Sequence, residues 1–185
     1  AEGIPAPERF AVTHYFNPPY LVPLVELVPG PATESGVIDS LEDLYRSTGK
    51  NPVRVQREIA GFIANRLQNA LGREALALVE AGIASPEDID TVVRYTLGRR
   101  LAVGGPFEIW EQIGWDLVQT IAGVLYKEIS NDVEPSKLLR AKVAAGALGV
   151  KTGRGFYDWT EESAEETRQR VGQALIALAR RDGPQ

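Results

Sequence analysis

The first third of the chain alternates short apolar runs with turn residues, a pattern typical of a small α/β region. The runs "FAVTHYF" (10–16), "LVPLVELV" (21–28) and "NPVRVQ" (51–56) are rich in β-branched and aromatic residues and predict three strands. Between the last two, apolar residues at positions 37, 38, 41, 44 and 45 have helical spacing, and Gly49 ends the pattern. So small a sheet needs further strands or a covered face to be stable.

Beyond residue 58 the apolar residues recur every three to four positions, which predicts helices. A long amphipathic helix ends at Gly82, and Ser85, Pro86 and Asp88 mark the start of the next as N-cap, first position and third position. Further helices are predicted over 105–129 (one or two, broken near Gly114), 134–146 and 163–181. The residues expected to face the core include Ile89, Val92 and Val93, then Val171, Leu175 and Leu178. The sequence therefore predicts an α/β region followed by a helical one.

Composition narrows the classes of function. The net charge is −5 and no basic stripe appears, which argues against a nucleic-acid partner. The chain has no cysteine and one histidine, so a disulfide framework and a zinc site are not expected. No apolar run approaches the roughly 18–20 residues of a membrane helix, and no signal peptide opens the chain. We expect a cytoplasmic protein with no metal, and the start "AEGIPAPERF" suggests a domain fragment or a processed chain.

The single histidine, His14, lies near the end of the first predicted strand, where catalytic groups of α/β sheets tend to lie. Glu26 lies in the second strand, within the apolar run "LVELV". If the two strands are neighbours, the Glu26 carboxylate could fix the tautomer of His14 and raise the basicity of its other nitrogen, as a general base requires. A half-buried strand histidine and a solvent-facing glutamate are the alternatives, and the residues alone leave them open.

Two further positions are candidates for binding. Asn65, in "GFIANRLQ" at the start of the long helix, carries both a donor and an acceptor for a substrate oxygen, although most such residues are caps or surface residues. The glycine-rich run "KTGRG" (151–155) could place Lys151 near a phosphate, although lysine and glycine are common in loops. Neither a Walker loop nor a G-x-G-x-x-G fingerprint is present in the sequence.

Taken in order, the motifs resemble one family. The segments "PERFAVTHYFNPP", "LVELV", "NPVRVQREIAGFIANRL", "EALALVEAGIASPEDID", "GGPFE" and "GALGVKTGRGFYDW" resemble the second half of the L-3-hydroxyacyl-CoA dehydrogenases, from about Pro7 to Trp159. The stretches "NPPYLVPLVELVPGPAT" and "VRVQREIAGFIANRLQ" are also similar to the lambda-crystallin and L-gulonate 3-dehydrogenase branch. The ending "LGVKTGRGFYDW" is more similar to the hydroxyacyl-CoA branch.

The resemblance implies a role for each candidate residue. It makes His14 the general base and Glu26 its partner. Asn17 matches the asparagine that meets the nicotinamide end of NAD, and Asn65 matches the one that helps to hold the substrate. Lys151 matches a lysine that contacts the cofactor.

The resemblance also implies the fold. Residues 58–185 would form a mainly α, helical dimerisation domain of the 6-phosphogluconate-dehydrogenase C-terminal type, and residues 1–57 the tail of an NAD-binding Rossmann domain. The family's glycine-rich first turn, acidic ribose-binding residue and catalytic serine have no counterpart among these 185 residues. Residues 160–185 extend beyond the family pattern and remain unassigned.

The function that follows is the C-terminal part of an NAD-dependent 3-hydroxyacyl-CoA dehydrogenase. Such an enzyme oxidises the 3-hydroxyl of an acyl-CoA-type substrate to a ketone, as in β-oxidation, and is expected to be a homodimer. By itself the 185-residue chain is expected to be inactive. One alternative is a dehydrogenase of a smaller hydroxy acid, such as L-gulonate, and another is a helical dimerisation module that has lost catalysis.

Overall fold

The computed structural model describes residues 3–181, so the outer ends of the two predicted regions, residues 1–2 and 182–185, lie outside the described residues. The described chain is mainly helical and includes a small three-stranded sheet. Its strands and helices are β1 (Ala11–Tyr15), β2 (Leu24–Pro29), α1 (Ser35–Ser47), β3 (Asn51–Arg54), α2 (Ala64–Glu80), α3 (Pro86–Tyr95), α4 (Leu97–Leu101), α5 (Pro106–Ile113), α6 (Trp115–Leu125), α7 (Lys137–Ala144) and α8 (Glu161–Arg181).

The sheet has the order β1-β2-β3, with β2 in the centre. β1 pairs antiparallel with β2, and β2 pairs parallel with β3. A parallel pair needs a crossover connection, and α1 provides it. Because β2 is paired on both edges and covered on both faces, its run Val25–Val28 is fully buried.

The core of the sheet region lies between β2 and α1. Val25 and Leu27 project from one face of β2 and pack with Ile38 of α1. Ala11, Leu41 and Tyr45 complete this cluster at its margin. Since successive strand residues point to opposite faces, Glu26 projects from the other face of the sheet. This alternation directs one buried carboxylate away from the apolar core.

By internal contacts the chain forms two compact units. The first comprises the chain up to Leu67 together with the segment from Thr160 onwards, and the second is Gln68–Trp159. This grouping by contacts places residues 58–67 and helix α8 with the sheet. The domain division expected from sequence, 1–57 and 58–185, stays a prediction.

The helices of the second unit follow their capping signals. Ser85 accepts a hydrogen bond from the N–H of Asp88, whose carboxylate accepts one from the N–H of Ser85, so the predicted capping box is confirmed. Gly114 separates α5 from α6 at φ +96°, as its position in the sequence predicts. Helix α4 is an addition that the sequence pattern missed, because five residues are too few to show a period.

Two residues that the spacing assigned to the core are exposed instead. Val92 of α3 is 56% exposed and Val171 of α8 is 50% exposed. Helical spacing predicts an apolar face, but it does not show that the surface covering that face belongs to the same chain. Within residues 3–181 no helix is both long enough and apolar enough to span a bilayer.

Candidate active site

The strand register brings the two candidate dyad residues together. In the antiparallel pair β1–β2, His14 lies directly opposite Glu26, so both side chains project from the same face of the sheet. The His14 Nδ1 atom lies 2.7 Å from Glu26 Oε2. The sequence left open whether Glu26 faces solvent, and the structure shows that it is 1% exposed and hydrogen-bonded to the histidine.

The Glu26 carboxylate is bonded through both oxygens. Oε1 accepts hydrogen bonds from the backbone N–H groups of Ile63 and Ala64, at 2.8 and 2.9 Å, where helix α2 begins. Burial by itself would raise the pKa of Glu26, but the hydrogen bonds from His14, Ala64 and Ile63 outweigh it and lower the pKa below its ordinary value. The group is therefore a carboxylate at neutral pH, which fixes Nδ1 of His14 as the N–H donor.

The His14 ring lies between two aromatic side chains. Its centroid is 4.6 Å from that of Phe16 and 5.3 Å from that of Phe62, and both contacts are edge-to-face. The side chain is 27% exposed. With Nδ1 donating to Glu26, Nε2 carries the lone pair, and no described residue hydrogen-bonds to it. A base with one oriented nitrogen and one available nitrogen can accept a proton.

Each of the two asparagines lies close in the chain to a different part of this arrangement, Asn17 to His14 and Asn65 to the donors of Glu26. Asn65 follows Ala64, a donor to Glu26, and lies in the first turn of α2. Asn17 is exposed in the loop after β1, and its side chain makes no hydrogen bond with any residue from 3 to 181. Lys50 holds that loop, because its ammonium group donates to the carbonyl oxygens of Pro19 and Val22.

Lys151 lies in the second compact unit, within a short 3₁₀ turn, Val150–Thr152. The glycine-rich run is a compact turn, as expected, since Gly149 and Gly153 adopt positive φ and Gly149 N–H donates to the Arg154 carbonyl at 2.7 Å. Lys151 itself is exposed. A neighbouring lysine, Lys142, bonds to the carbonyl of Gly155 and so supports the turn.

The sequence did not predict the role of the segment before α2. Backbone N–H groups carry no sequence signal of their own, and Phe62 falls within the apolar pattern that predicts the long helix. Gly61, three residues before α2, is the available clue, because glycine often marks a left-handed turn, and Gly61 adopts φ +77°.

The candidate residues suit NAD only in part. The exposed amide of Asn17, three residues after His14, could meet the nicotinamide carboxamide. Taken by itself, Lys151 of the second compact unit is an exposed cation of the kind that binds a phosphate. A glycine-rich turn for the pyrophosphate is absent from the 185 residues. Within the described ranges, no three His, Cys, Asp or Glu side chains form a group that could hold a metal ion.

Comparison with known proteins identifies the family. The model for the NAD binding domain of 3-hydroxyacyl-CoA dehydrogenase matches residues 1–59, and the model for its C-terminal domain matches residues 61–159. These matches support NAD as the cofactor.

Two relatives and one crystal structure show the range of the similarity. The chain is 34% identical over 174 residues to 5-formyl-3-hydroxy-2-methylpyridine 4-carboxylate 5-dehydrogenase of Mesorhizobium japonicum, which is 94% of this chain and 56% of that protein. It is 49% identical over 106 residues to lambda-crystallin of Oryctolagus cuniculus, 57% of this chain and 33% of the relative. A crystal structure of the same pyridine dehydrogenase, described as an NAD⁺-dependent dismutase, superposes with a TM-score of 0.94 at 33% identity, covering 98% of this chain and 59% of that one.

The chain thus spans little more than half the length of the pyridine dehydrogenase and a third of the length of the crystallin. The similarity to lambda-crystallin confirms the second branch that the motifs indicated. The two family models together span nearly all of the described sheet and helices up to Trp159. The chain belongs to the 3-hydroxyacyl-CoA dehydrogenase family.

Proposed function

We propose that His14 is the general base of an NAD-dependent dehydrogenase and that Glu26 orients it. The observation that carries this proposal is the 2.7 Å bond between His14 Nδ1 and a buried carboxylate whose pKa is lowered, chiefly by the hydrogen bond from His14 against the effect of burial. The carboxylate holds the tautomer that leaves a lone pair on Nε2, and it stabilises the imidazolium that forms when Nε2 takes a proton.

The proposed reaction is the oxidation of a carbinol. Nε2 of His14 removes the hydroxyl proton as the C–O bond becomes a carbonyl, which requires the substrate oxygen within about 3 Å of the nitrogen. NAD, when bound, accepts the hydride from the carbinol carbon. Asn65 is proposed to hold the substrate, since it lies in the same first turn of α2 that bonds to Glu26.

Asn17 and Lys151 are proposed to contact NAD, at its nicotinamide end and at its phosphates. Neither side chain replaces the glycine-rich turn that binds the pyrophosphate of a dinucleotide. We therefore propose that the 185-residue chain alone is inactive and does not bind NAD at micromolar concentration. Isothermal titration of NAD into the chain is expected to give no heat in that range, and a micromolar dissociation constant would contradict this part of the proposal.

For the substrate we propose a 3-hydroxyacyl-CoA, the substrate class for which the matched family is named. A second candidate, a smaller carboxylic acid without CoA, is favoured by one observation. The pyridine carboxylate dehydrogenase matches nearly the whole chain in sequence and superposes with a TM-score of 0.94. The first substrate would place the enzyme in β-oxidation, and the second would not.

We propose further that the chain forms a homodimer through a helical domain of the 6-phosphogluconate-dehydrogenase C-terminal type, in the cytoplasm. Support for the dimer comes from the apolar residues on the helices of Gln68–Trp159, many of which are exposed in the single chain. Exposed apolar faces of this extent are typical of surfaces that bind another protein.

The test of the base uses a complete dehydrogenase. The chain is fused behind a G-x-G-x-x-G nucleotide-binding segment from a family member, and NADH formation is followed with (S)-3-hydroxybutyryl-CoA, L-carnitine and L-gulonate as substrates. With the 5-formylpyridine carboxylate, whose hydrated aldehyde supplies the hydroxyl proton and the hydride, formation of the carboxylic acid is followed instead, because a second aldehyde can consume the NADH. His14→Ala should lower turnover about 10²- to 10⁴-fold while the dissociation constant for NAD stays the same.

The matched control is Tyr20→Ala, which removes a ring that is 80% exposed in the loop after β1 and should leave the chemical step unchanged. Turnover of His14→Ala close to that of the unmodified fusion would show that another group takes the proton. The substrate with the largest kcat/KM decides between the two substrate classes.

A further inference from the structure

Two consecutive residues before helix α2 adopt left-handed backbone conformations. Gly61 has φ +77° and Phe62 has φ +48°. The first is ordinary for glycine, but a bulky aromatic residue rarely adopts positive φ, because its Cβ crowds the following carbonyl group. A strained conformation of this kind persists only where the surrounding contacts enforce it, and such residues concentrate at functional sites.

The left-handed turn formed by Gly61 and Phe62 directs two backbone N–H groups toward one oxygen atom of Glu26. Immediately after Phe62, the N–H groups of Ile63 and Ala64 converge on Glu26 Oε1, at 2.8 and 2.9 Å. Successive N–H groups that follow a left-handed residue form a small concave site for an anionic oxygen. Here that oxygen belongs to the carboxylate whose other oxygen accepts the hydrogen bond from His14.

The side chain at the same strained position contacts the base itself. The Phe62 ring lies 5.3 Å from the His14 ring, centroid to centroid, at an interplanar angle of 61°. Phe16 makes a second edge-to-face contact, at 4.6 Å and 69°. The imidazole is thus held at Nδ1 by Glu26 and on its ring by two aromatic side chains.

We propose that the left-handed pair Gly61–Phe62 positions the His14–Glu26 pair, its backbone fixing the Glu26 carboxylate and its ring fixing the His14 imidazole. The inference deepens the proposed function, because it rests on His14 as the base. Phe62 is a positioning residue in this scheme and does not touch the reacting atoms. Its strained backbone and its ring contact serve the same pair, which explains why a residue better suited to positive φ, such as glycine or asparagine, is not found there.

The backbone part is tested with Gly61→Ala in the full 185-residue chain. Alanine at φ +77° is strained, and its Cβ would meet only ordinary contacts, the nearest being Arg66 Cγ at 3.5 Å. The matched control is Gly49→Ala, at φ +76° with no atom within 4 Å of the added Cβ, after helix α1. Both variants should lower the thermal midpoint by similar amounts.

The readout is the imidazole of His14, which gives a single set of histidine NMR signals because the chain has no other histidine. Gly61→Ala is expected to raise the hydrogen-exchange rate of Nδ1–H about tenfold and to shift the ¹⁵N resonances toward the mixed tautomers of free histidine. Gly49→Ala should leave both unchanged. Equal effects of the two variants on the His14 signals would overturn the positioning role of the backbone turn.

The ring is tested with Phe62→Asn, which also remains informative if Gly61→Ala fails to fold. Asparagine tolerates positive φ, so the N–H bonds to Glu26 and the protection of Nδ1–H should persist. The imidazole, having lost one aromatic contact, should show faster ring motion in ¹³C relaxation. Unchanged ring motion would overturn the role of the Phe62 side chain.

These measurements do not depend on turnover, so they are separate from the test of the base. If His14→Ala keeps its activity in the fused enzyme, the proposed function fails whatever the NMR shows. If His14→Ala loses activity while both NMR comparisons show no difference, only the positioning role fails. In the fused enzyme Phe62→Asn is expected to lower kcat several-fold with little change in KM, because Phe62 is proposed to act through the base and not on the substrate.

Discussion

The two compact units of this chain differ in how they bury their side chains. In the first, Val25, Leu27 and Ile38 form a closed core between the sheet and α1. In the second, Gln68–Trp159, every residue is described and no side chain is fully buried. The sheet region is therefore stabilised by its own packing, whereas the helical region presents apolar faces that need a further surface to cover them.

The aromatic residues of α5 and α6 illustrate the difference. Phe107, Trp110 and Trp115 contact one another at centroid distances of 5.6 to 6.2 Å, yet each keeps more than a third of its surface exposed. In a closed core, side chains of this size bury most of their area. The aromatic contacts within the second unit therefore do not bury these side chains as a closed core would.

The largest effect is expected from dilution. If a second copy covers the helices of Gln68–Trp159, lowering the protein concentration through the dimer dissociation constant should remove most of the helical signal of this unit. Sedimentation velocity and circular dichroism measured on the same dilution series check this. A strict monomer that keeps its full helical signal would show that the second unit is stable without a partner copy.

A matched pair of leucine substitutions compares the two units directly. Leu27→Ala, at a position with no exposed surface, should cost about 2–5 kcal/mol of unfolding free energy because it leaves a cavity. Leu117→Ala, in α6 with 48% of its surface exposed, should cost less than about 1 kcal/mol in dilute monomer. Urea denaturation gives both values, and similar losses would contradict the contrast. A loss for Leu117→Ala that grows with protein concentration would place this leucine in the dimer interface.

The buried carboxylate makes the stability of the first unit dependent on pH. Hydrogen bonds, chiefly from His14, lower the pKa of Glu26 in the fold against the effect of burial, so the unfolded chain binds a proton at higher pH than the folded chain does. This stabilisation is present above the ordinary glutamate pKa of 4.5 and is lost as the pH falls through the lowered value.

Glu26→Gln should therefore cost about 1–3 kcal/mol at neutral pH and flatten the acid side of the stability curve. Denaturation measured at a series of pH values from neutral to acidic checks both statements. The comparison variant is Glu165→Gln in α8, where hydrogen bonds from Gln169 and Arg168 also lower the pKa of the carboxyl group. Because these contacts are exposed to solvent, Glu165→Gln should flatten the acid side less than Glu26→Gln does. An acid slope for Glu26→Gln equal to that of the unmodified chain would mean that Glu26 does not titrate in this way.

The smallest effect is expected at a helix cap in the second unit. Ser85→Ala removes the hydroxyl that accepts the N–H of Asp88 and should cost about 1 kcal/mol. Ser85→Asp keeps an acceptor at the cap and should restore most of this free energy. Because this unit has no closed core, Ser85→Ala is expected to lower the free energy of unfolding at least as much as Leu117→Ala does in dilute monomer. Thermal denaturation of Ser85→Ala, Ser85→Asp and Leu117→Ala tests this order.

Sequence patterns predicted the elements of the fold well where local chemistry decides them. The three strands, the helix between them, the capping box at Ser85 and the break at Gly114 all follow from residues close together in the chain. Helix α4 was missed, since it is too short to show a period. Val92 and Val171 were wrongly assigned to the core, because a helical pattern cannot say which molecule supplies the covering surface.

The candidate site also has one part that the sequence could predict and one part that it could not. The pairing of His14 with Glu26 could be suggested because two apolar strands joined by a Pro-rich loop are expected to be neighbours. The donors from Ile63 and Ala64 could not be suggested, because they are backbone groups brought in by a turn almost forty residues further along the chain. The roles of Asn17, Asn65 and Lys151 rest on resemblance, and they stay predictions.

One consequence of the Glu26 geometry concerns how this chain could change in evolution. The Glu26 carboxylate bonds both to His14, the proposed base on β1, and to the backbone at the start of α2, whereas the role proposed for His14 is catalytic alone. In a descendant recruited for a purpose without hydride transfer, substitutions at His14 would be tolerated, but the acid would be retained because the helix still requires it. A related protein that keeps the glutamate but lacks the histidine would therefore be recognisable as the descendant of an enzyme that has lost catalysis.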